Sequence, residues 1–393
     1  MNPSRASTPR TSLPVRIALV AGGFLVALLL AEAVLRWVVP YHFIYRHPRF
    51  VVLNDGGPKR PLPIANALLA PALALNDEAW RYGLQPNLQA RLVSSEFDTA
   101  FETNDHGLRG PAFLPEPDLR ILGLGDSFAM GFGVERDETY LSVLARRWSQ
   151  PSAETIEPVH GGVLGYNPHN SAHYLFGAAP ALQPDLVVFQ LWAGDDLCGR
   201  SGAARPMVRG EERRANTAKF SILHTHLGMF VRDRLRAIKP MRRWLMDRDL
   251  INRYAIDRLL SVDFPDRCAA SLDALRTRLA EVEAFCRQHA IPLVLLLIPV
   301  REQVYERDWE RALDYDIAEI SPEQVDFDAP NRVLHDIARH HGLLLFDATE
   351  ALRTHRDGER LYFEGLDPHL TRRGHEVVGT TLYRFLHDAD DAL

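Results

Sequence analysis

Two runs constrain the fold more than any other part of the chain: Pro184-Asp185-Leu186-Val187-Val188-Phe189-Gln190-Leu191-Trp192 and Ile291-Pro292-Leu293-Val294-Leu295-Leu296-Leu297-Ile298-Pro299. Their near-continuous apolar character is that of strands buried on both faces, which requires helices above and below a mostly parallel sheet. The surrounding pattern agrees. Strands are expected at 120–125, 155–160, 185–192, 292–299 and 343–346, and helices at 138–149, 169–181, 266–289, 329–341 and 371–387. Strand alternating with helix in this way implies an α/β domain built on a parallel sheet.

The expected site lies at the end of the first of these strands. Ile121-Leu122-Gly123-Leu124-Gly125-Asp126-Ser127 is an apolar run that stops abruptly in glycine, aspartate and serine. Open α/β sheets place their chemistry at the carboxyl ends of strands, where Ser127 would stand. Taken alone the tripeptide is weak, because Asp126 and Ser127 are both good helix N-caps. Three later segments strengthen it. Gly161-Gly162-Val163-Leu164-Gly165-Tyr166-Asn167 follows the second strand, and its glycines allow backbone N–H groups to face a ligand. Ala193-Gly194-Asp195-Asp196 follows the third strand, and Asp367-Pro368-His369 precedes the last helix. Each also reads as an ordinary turn or cap. Together they describe a serine acyl-transfer site.

Gly125-Asp126-Ser127, Gly165, Asp195-Asp196 and Asp367-x-His369 resemble, in their usual order, the four sequence blocks of the SGNH (GDSL) hydrolase superfamily. The wording around them, Gly125 to Thr139, Asn104 to Gly110 and Asp367 to His375, is similar to membrane-tethered bacterial members. The resemblance covers about 119–393, with 198–265 weakly matched. It implies a flavodoxin-like three-layer sandwich with a parallel sheet. Ser127 would then be the nucleophile, His369 the general base and Asp367 the carboxylate that orients it. The backbone N–H groups of Ser127 and Gly165 would bind the oxyanion. The family's third donor is an asparagine side chain, and Asp195 stands in that position here. An ionised Asp195 would oppose the developing charge, whereas a protonated one would still donate. Losing one such donor costs about 3–4 kcal/mol elsewhere. The Asp-x-His spacing is one residue shorter than the commoner Asp-x-x-His.

The N-terminus carries a different signal. Residues 17–39 are interrupted by only two charges, Glu32 and Arg36, which are four apart on one helical face. The run is long enough to cross a bilayer, and Trp37, Tyr41, Phe43 and Tyr45 follow as an aromatic belt would. Ala31-Glu32-Ala33 also fits a signal-peptide cleavage site, but cleavage there would expose Val34 to Val39, so an uncleaved anchor fits better. Arginines and lysines flank the run on both sides and leave its orientation open. Residues 1–16 are expected to be a disordered tail and 40–118 an irregular or β-rich lead-in. Residues 119–393 form the expected hydrolase-like domain, with a helical insertion at about 198–265.

Composition excludes several classes. The 393 residues carry a net charge of −6, which gives no electrostatic case for nucleic acid. Arg232, Arg234, Arg236, Lys239, Arg242 and Arg243 read first as a solvated helix face, with an anionic-ligand or membrane-surface patch as the alternative. Cys198, Cys268 and Cys286 match no zinc pattern or disulfide framework, although one bridge is open to them, and Cys286 reads as a buried thiol. His224-Thr225-His226 and His340-His341 lack partners at ligand spacing, and there is no phosphate-cradling or dinucleotide fingerprint, so no metal or cofactor is expected.

The leading expectation is a single-pass inner-membrane serine esterase or O-acyltransferase, with its catalytic domain on the periplasmic side. Its substrate would be ester-linked acyl groups, O-acetyl on a glycan above all. Two rivals remain: an idle SGNH-fold subunit that binds glycan or acts as a scaffold, and a metal-dependent phosphoester site built from Asp126, Asp195, Asp196, Asp367 and His369.

Overall fold

The computed structural model describes residues 12–39, 48–53, 61–62, 69–70, 83–152, 154–198, 225–248, 256–316, 320–365 and 367–390. The chain opens with one long helix, Leu13–Trp37. It is the one described helix long and apolar enough to cross a membrane, with a mean hydropathy of 2.4 over its most apolar window. None of its residues is buried in the protein. It starts four residues before the expected 17, which takes 13–16 out of the expected tail. Pro14 explains the difference, because a proline in the first turn lacks only an N–H that the helix would leave unpaired.

The lead-in is β-rich. Strands β1 (Arg49–Val52), β2 (Pro61–Leu62), β5 (Gln89–Val93) and β6 (Asp98–Glu102) form an antiparallel sheet in the order β2-β1-β5-β6, and β3 (Leu69–Ala70) pairs with β4 (Gly83–Leu84). This sheet does not stand apart from the rest. Its apolar face, with Phe50, Leu92 and Phe101, packs on Met130, Phe132, Val163 and Tyr166 from two connections of the main domain.

The main sheet holds β7 (Leu119–Leu124), β8 (Ile156–His160), β9 (Leu186–Trp192), β10 (Leu293–Ile298) and β11 (Leu344–Asp347). All four pairings are parallel, in the order β8-β7-β9-β10-β11. Each strand lies within one residue of its expected bounds. Every residue of β9 is buried, as the continuous apolar run requires. Helices Tyr140–Ser152 and Arg372–Asp390 pack together, as do Pro168–Leu182, Ala269–Gln288 and Ala329–His341, and these two groups form the outer layers. The architecture is therefore the expected flavodoxin-like α/β sandwich. From β7 the chain steps to β8 on one side and then to β9 on the other. A crevice opens at such a switch point, at the carboxyl ends of the strands.

Residues 199–224 and 249–255 of the expected insertion lie outside the described residues. The remainder forms short helices, His226–Leu235, Lys239–Met246, Ile256–Leu259 and Phe264–Arg267. A disulfide joins Cys198 to Cys268, with Cα atoms 5.0 Å apart and a sequence separation of 70, and so ties the insertion at its base. Cys268 also separates Phe264–Arg267 from Ala269–Gln288, where the sequence pattern read one continuous helix. Cys286 is buried, and burial pushes its thiol up to about 12.

Cross-linking a loop of this length removes unfolded-state entropy equivalent to about 4 kcal/mol. The Cys198→Ser/Cys268→Ser variant is therefore expected to lose about 4 kcal/mol of stability in denaturant titration. Dithiothreitol should shift the midpoint of the parent protein but leave that of the variant unmoved.

Candidate active site

The end of β7 shapes the site. Gly125 has φ +147° and lies against the Gln190 side chain of β9, so a Cβ there would collide with the glutamine amide. Gln190 Oε1 in turn accepts from the Asp126 N–H at 3.2 Å. The Asp126 carboxylate accepts from the Phe128 N–H at 2.8 Å and caps the short helix Ser127–Met130. Of the two capping candidates in the sequence, Asp126 does the capping, which leaves the Ser127 hydroxyl for another partner.

That partner is His369, whose Nε2 lies 2.7 Å from Ser127 Oγ. His369 Nδ1 lies 2.6 Å from Asp367 Oδ1, and the same oxygen accepts from the His369 backbone N–H at 3.0 Å. A carboxylate only accepts, so Nδ1 carries the proton and Nε2 is left to accept from the serine hydroxyl. The paired bonds to Asp367 Oδ1 show how the short Asp-x-His spacing suffices: the carboxylate folds back over two residues, as an Asx turn does. The imidazole packs against Phe128 and Phe132, with ring centroids at 4.7 and 4.5 Å and ring planes tilted by 42° and 33°.

The glycine connection after β8 runs beside this chain of contacts. Gly161 N–H donates to Gly123 O at 2.7 Å and Val163 N–H to Gly125 O at 3.2 Å. Gly162 lies against the backbone of Ala129 and Met130, where a side chain has no room. Gly165 follows at φ +75°, and Asn167 then caps helix Pro168–Leu182. Ser127 opens its own helix, so its N–H is among those that helix geometry leaves without an internal partner. After β9, Ala193–Asp196 makes one helical turn in which Asp196 accepts from Trp192 N–H at 2.7 Å and Asp195 is half-buried. The segments holding Ser127, Gly165 and Asp195 thus follow three neighbouring strands at the same sheet edge.

Several contributing residues escaped the sequence reading. Arg109 is buried, and its guanidinium donates to Met130 O, Gly131 O and Val134 O at 2.8, 2.6 and 2.7 Å. It clamps the connection that follows Ser127 and also stacks over Phe101 of β6, 4.9 Å from the ring centroid. Burial lowers its pKa to about 10. Gln190 and the Phe128 and Phe132 rings were also missed. The one available signal was a lone glutamine inside a fully apolar strand.

Two buried histidines support the same region. His375 Nδ1 accepts from Tyr140 N–H at 3.1 Å, and its pKa falls to about 3 through burial and then through the charge of Arg109. His160 Nε2 lies 2.8 Å from Thr139 Oγ1, and burial with the nearby Arg109 lowers it well below its usual range. Beside the site lies a cleft of about 690 Å³, open solvent included, with Trp192, Gly194, Arg301, Glu302, Tyr315 and Pro368 in its wall. Among the described residues no group of three or more His, Cys, Asp or Glu is placed to hold a metal ion. Two of the carboxylates the phosphoester reading needs, Asp126 and Asp196, are engaged with backbone N–H groups.

No family model and no curated protein matches the chain. Among solved structures it is similar to an acetylxylan esterase from Geobacillus stearothermophilus, at 13% identity and a TM-score of 0.39, covering 68% of this chain and 94% of that one. It is similar to a lipase/acylhydrolase from Enterococcus faecalis at 14% identity and a TM-score of 0.36, with the same coverages. A third similar structure is TesA, at 13% identity and a TM-score of 0.37, covering 68% of this chain and 98% of that one.

His375 and His160 stay neutral in the folded chain but take up protons near pH 6.5 once unfolded. The unfolded state therefore binds more protons below that pH, and stability falls as pH drops from about 6.5 toward 3. Thermal melts between pH 7 and 4 should show this loss. The His375→Asn variant, whose amide oxygen can accept from Tyr140 N–H, should show a shallower one.

Proposed function

We propose that this protein is a membrane-anchored serine esterase acting on ester-linked acyl groups. The observation that carries the reading is the unbroken contact from Asp367 through His369 to Ser127. In this reading Ser127 Oγ attacks the acyl carbonyl carbon while its proton passes to His369 Nε2. The carbonyl oxygen takes up the charge and is met by the backbone N–H groups of Ser127 and Gly165. Collapse breaks the ester bond, the leaving alcohol takes the proton from His369, and the acyl group stays on Ser127. Water, deprotonated by His369, then releases the acid and restores the serine. A sugar hydroxyl in place of that water would make the same site an acyltransferase.

An O-acetyl group on a glycan is the substrate we propose within this class. It is supported by the resemblance of the four blocks and by the aromatic and charged side chains of Trp192, Tyr315, Arg301 and Glu302 at the cleft. The periplasmic placement is supported by the Cys198–Cys268 bridge, since such bonds persist in oxidising compartments. The anchor is supported by the length and apolar surface of Leu13–Trp37.

One feature supports a second reading, a binding subunit without turnover: in the resemblance of the four blocks, Asp195 stands where the donor asparagine is expected. The test is ester turnover on acetylated sugars and on p-nitrophenyl esters of graded chain length. Ser127→Ala is expected to lower kcat by about 10⁴-fold or more, and His369→Ala to abolish labelling of Ser127 by a fluorophosphonate. Asp195→Asn is expected to raise kcat by about tenfold or more, as an amide N–H donor replaces the carboxyl group. Folded parent protein with no turnover and no labelling would sink the esterase reading.

A further inference from the structure

Beyond Val38, eight large apolar side chains are exposed among the described residues, and half of them fall in one short segment: Val231, Leu235, Ile238 and Trp244. Val231, Leu235 and Ile238 are spaced four and three apart, one face of helix His226–Leu235 and the turn after it. Residues 226–248 also hold six arginines and one lysine against two aspartates. Arg234 lies over Phe230 at 4.5 Å and Arg248 over Trp244 at 4.3 Å, so charge and apolar surface alternate on the same side chains.

What lies next to this surface decides its partner. Helix His226–Leu235 packs against Leu13–Trp37. Glu32 joins the two: its Oε1 accepts from His226 N–H at 3.1 Å and its Oε2 from Leu227 N–H at 2.8 Å. His226 Nδ1 lies 3.1 Å from the same Oε1. A carboxylate from one helix thus satisfies the first N–H groups of the other. A bilayer's apolar core takes about 20 helical residues, so a span counted from Leu13 reaches its boundary near Glu32. A helix docked there lies at the depth of the lipid headgroups.

The segment is fixed to the catalytic domain at its other end. Arg242 is buried and donates to Tyr315 O at 3.1 Å, to Asp314 O at 2.9 Å and to Asp314 Oδ2 at 3.1 Å. Tyr315 belongs to the wall of the cleft beside the site. The exposed apolar face is therefore held between the anchor and the cleft.

We infer that residues 226–248 form a membrane-surface foot that lies on an anionic bilayer, the one Leu13–Trp37 enters. Val231, Leu235, Ile238 and Trp244 enter the interface, and Arg234, Arg243 and Arg248 meet lipid phosphates. The inference rests on the reading of Leu13–Trp37 as an anchor. It adds that the cleft is held close to the membrane surface by two attachments rather than swinging on one.

The test uses the full-length protein in vesicles of phosphatidylglycerol and phosphatidylcholine. Single cysteines replace Val231, Ile238 or Trp244, with Leu25→Cys reporting on the anchor and the exposed Asp336→Cys as a control. Each carries a polarity-sensitive fluorophore, and quenching by lipids brominated along the chain is measured. The three foot positions are expected to be quenched about threefold more than position 336. Reversing Arg234, Arg243 and Arg248 to Glu should cut that quenching about twofold or more. Deep quenching at position 25 with the foot positions matching position 336 would overturn the foot and leave the anchor standing. No quenching at position 25 would overturn the anchor and the foot with it. Foot quenching that ignores the charge reversal would overturn the anionic-lipid assignment.

Discussion

The site depends on one close approach, the backbone of Gly125 against the side chain of Gln190. Because no Cβ intervenes, the chain can turn sharply just past the end of β7 while the strand stays paired with β9. The turn gives Asp126 a donor to cap and leaves Ser127 at the sheet edge with a hydroxyl not spent on its own helix. The chain later returns to this edge, after β11, to supply His369 and Asp367.

Arg109 is the second support, and it exerts a pull on its surroundings. Its charge is buried and met by backbone carbonyl oxygens, which lend partial negative charge without a full counterion. A buried cation disfavours further positive charge nearby, and both His160 and His375 are lowered partly by Arg109. Among the described imidazoles of this region, His369 is the one within hydrogen-bond distance of Ser127 Oγ. The small antiparallel sheet matters for the same reason. It carries Phe101 under the guanidinium and shields the clamp from water, so the lead-in is part of the site's construction.

The legible parts of this protein were those written in local pattern. The apolar runs of β9 and β10 set a two-sided sheet and its layers, and the strand that ends in Gly-Asp-Ser set where to look. The Asp367-x-His369 pair was legible because both residues sit within three positions of each other. What stayed hidden depends on contacts between distant positions. The role of Arg109 stayed hidden because the carbonyl groups it clamps, on Met130, Gly131 and Val134, lie more than twenty residues away. Glu32 looked like half of a pair with Arg36, although its described partners lie in helix His226–Leu235. The Arg-rich stretch read as a solvated face because sequence alone does not show which arginines turn inward, as Arg242 does.

Asp195 separates the two readings of the site, and the difference comes down to one atom. An amide in that position offers an N–H to a developing oxyanion, whereas a carboxylate offers only lone pairs. Asp196, one residue on, is already committed to the Trp192 N–H, so it does not take over the role without giving up the turn that holds Asp195 in place. In the proposed site the backbone donors on Ser127 and Gly165 would not change with the form Asp195 takes. Removing one donor from such a set elsewhere costs about 3–4 kcal/mol, a large slowing but not an abolition. The Ser127–His369–Asp367 contacts do not depend on Asp195, so the chain can hold an intact nucleophile and base while stabilising its transition state poorly.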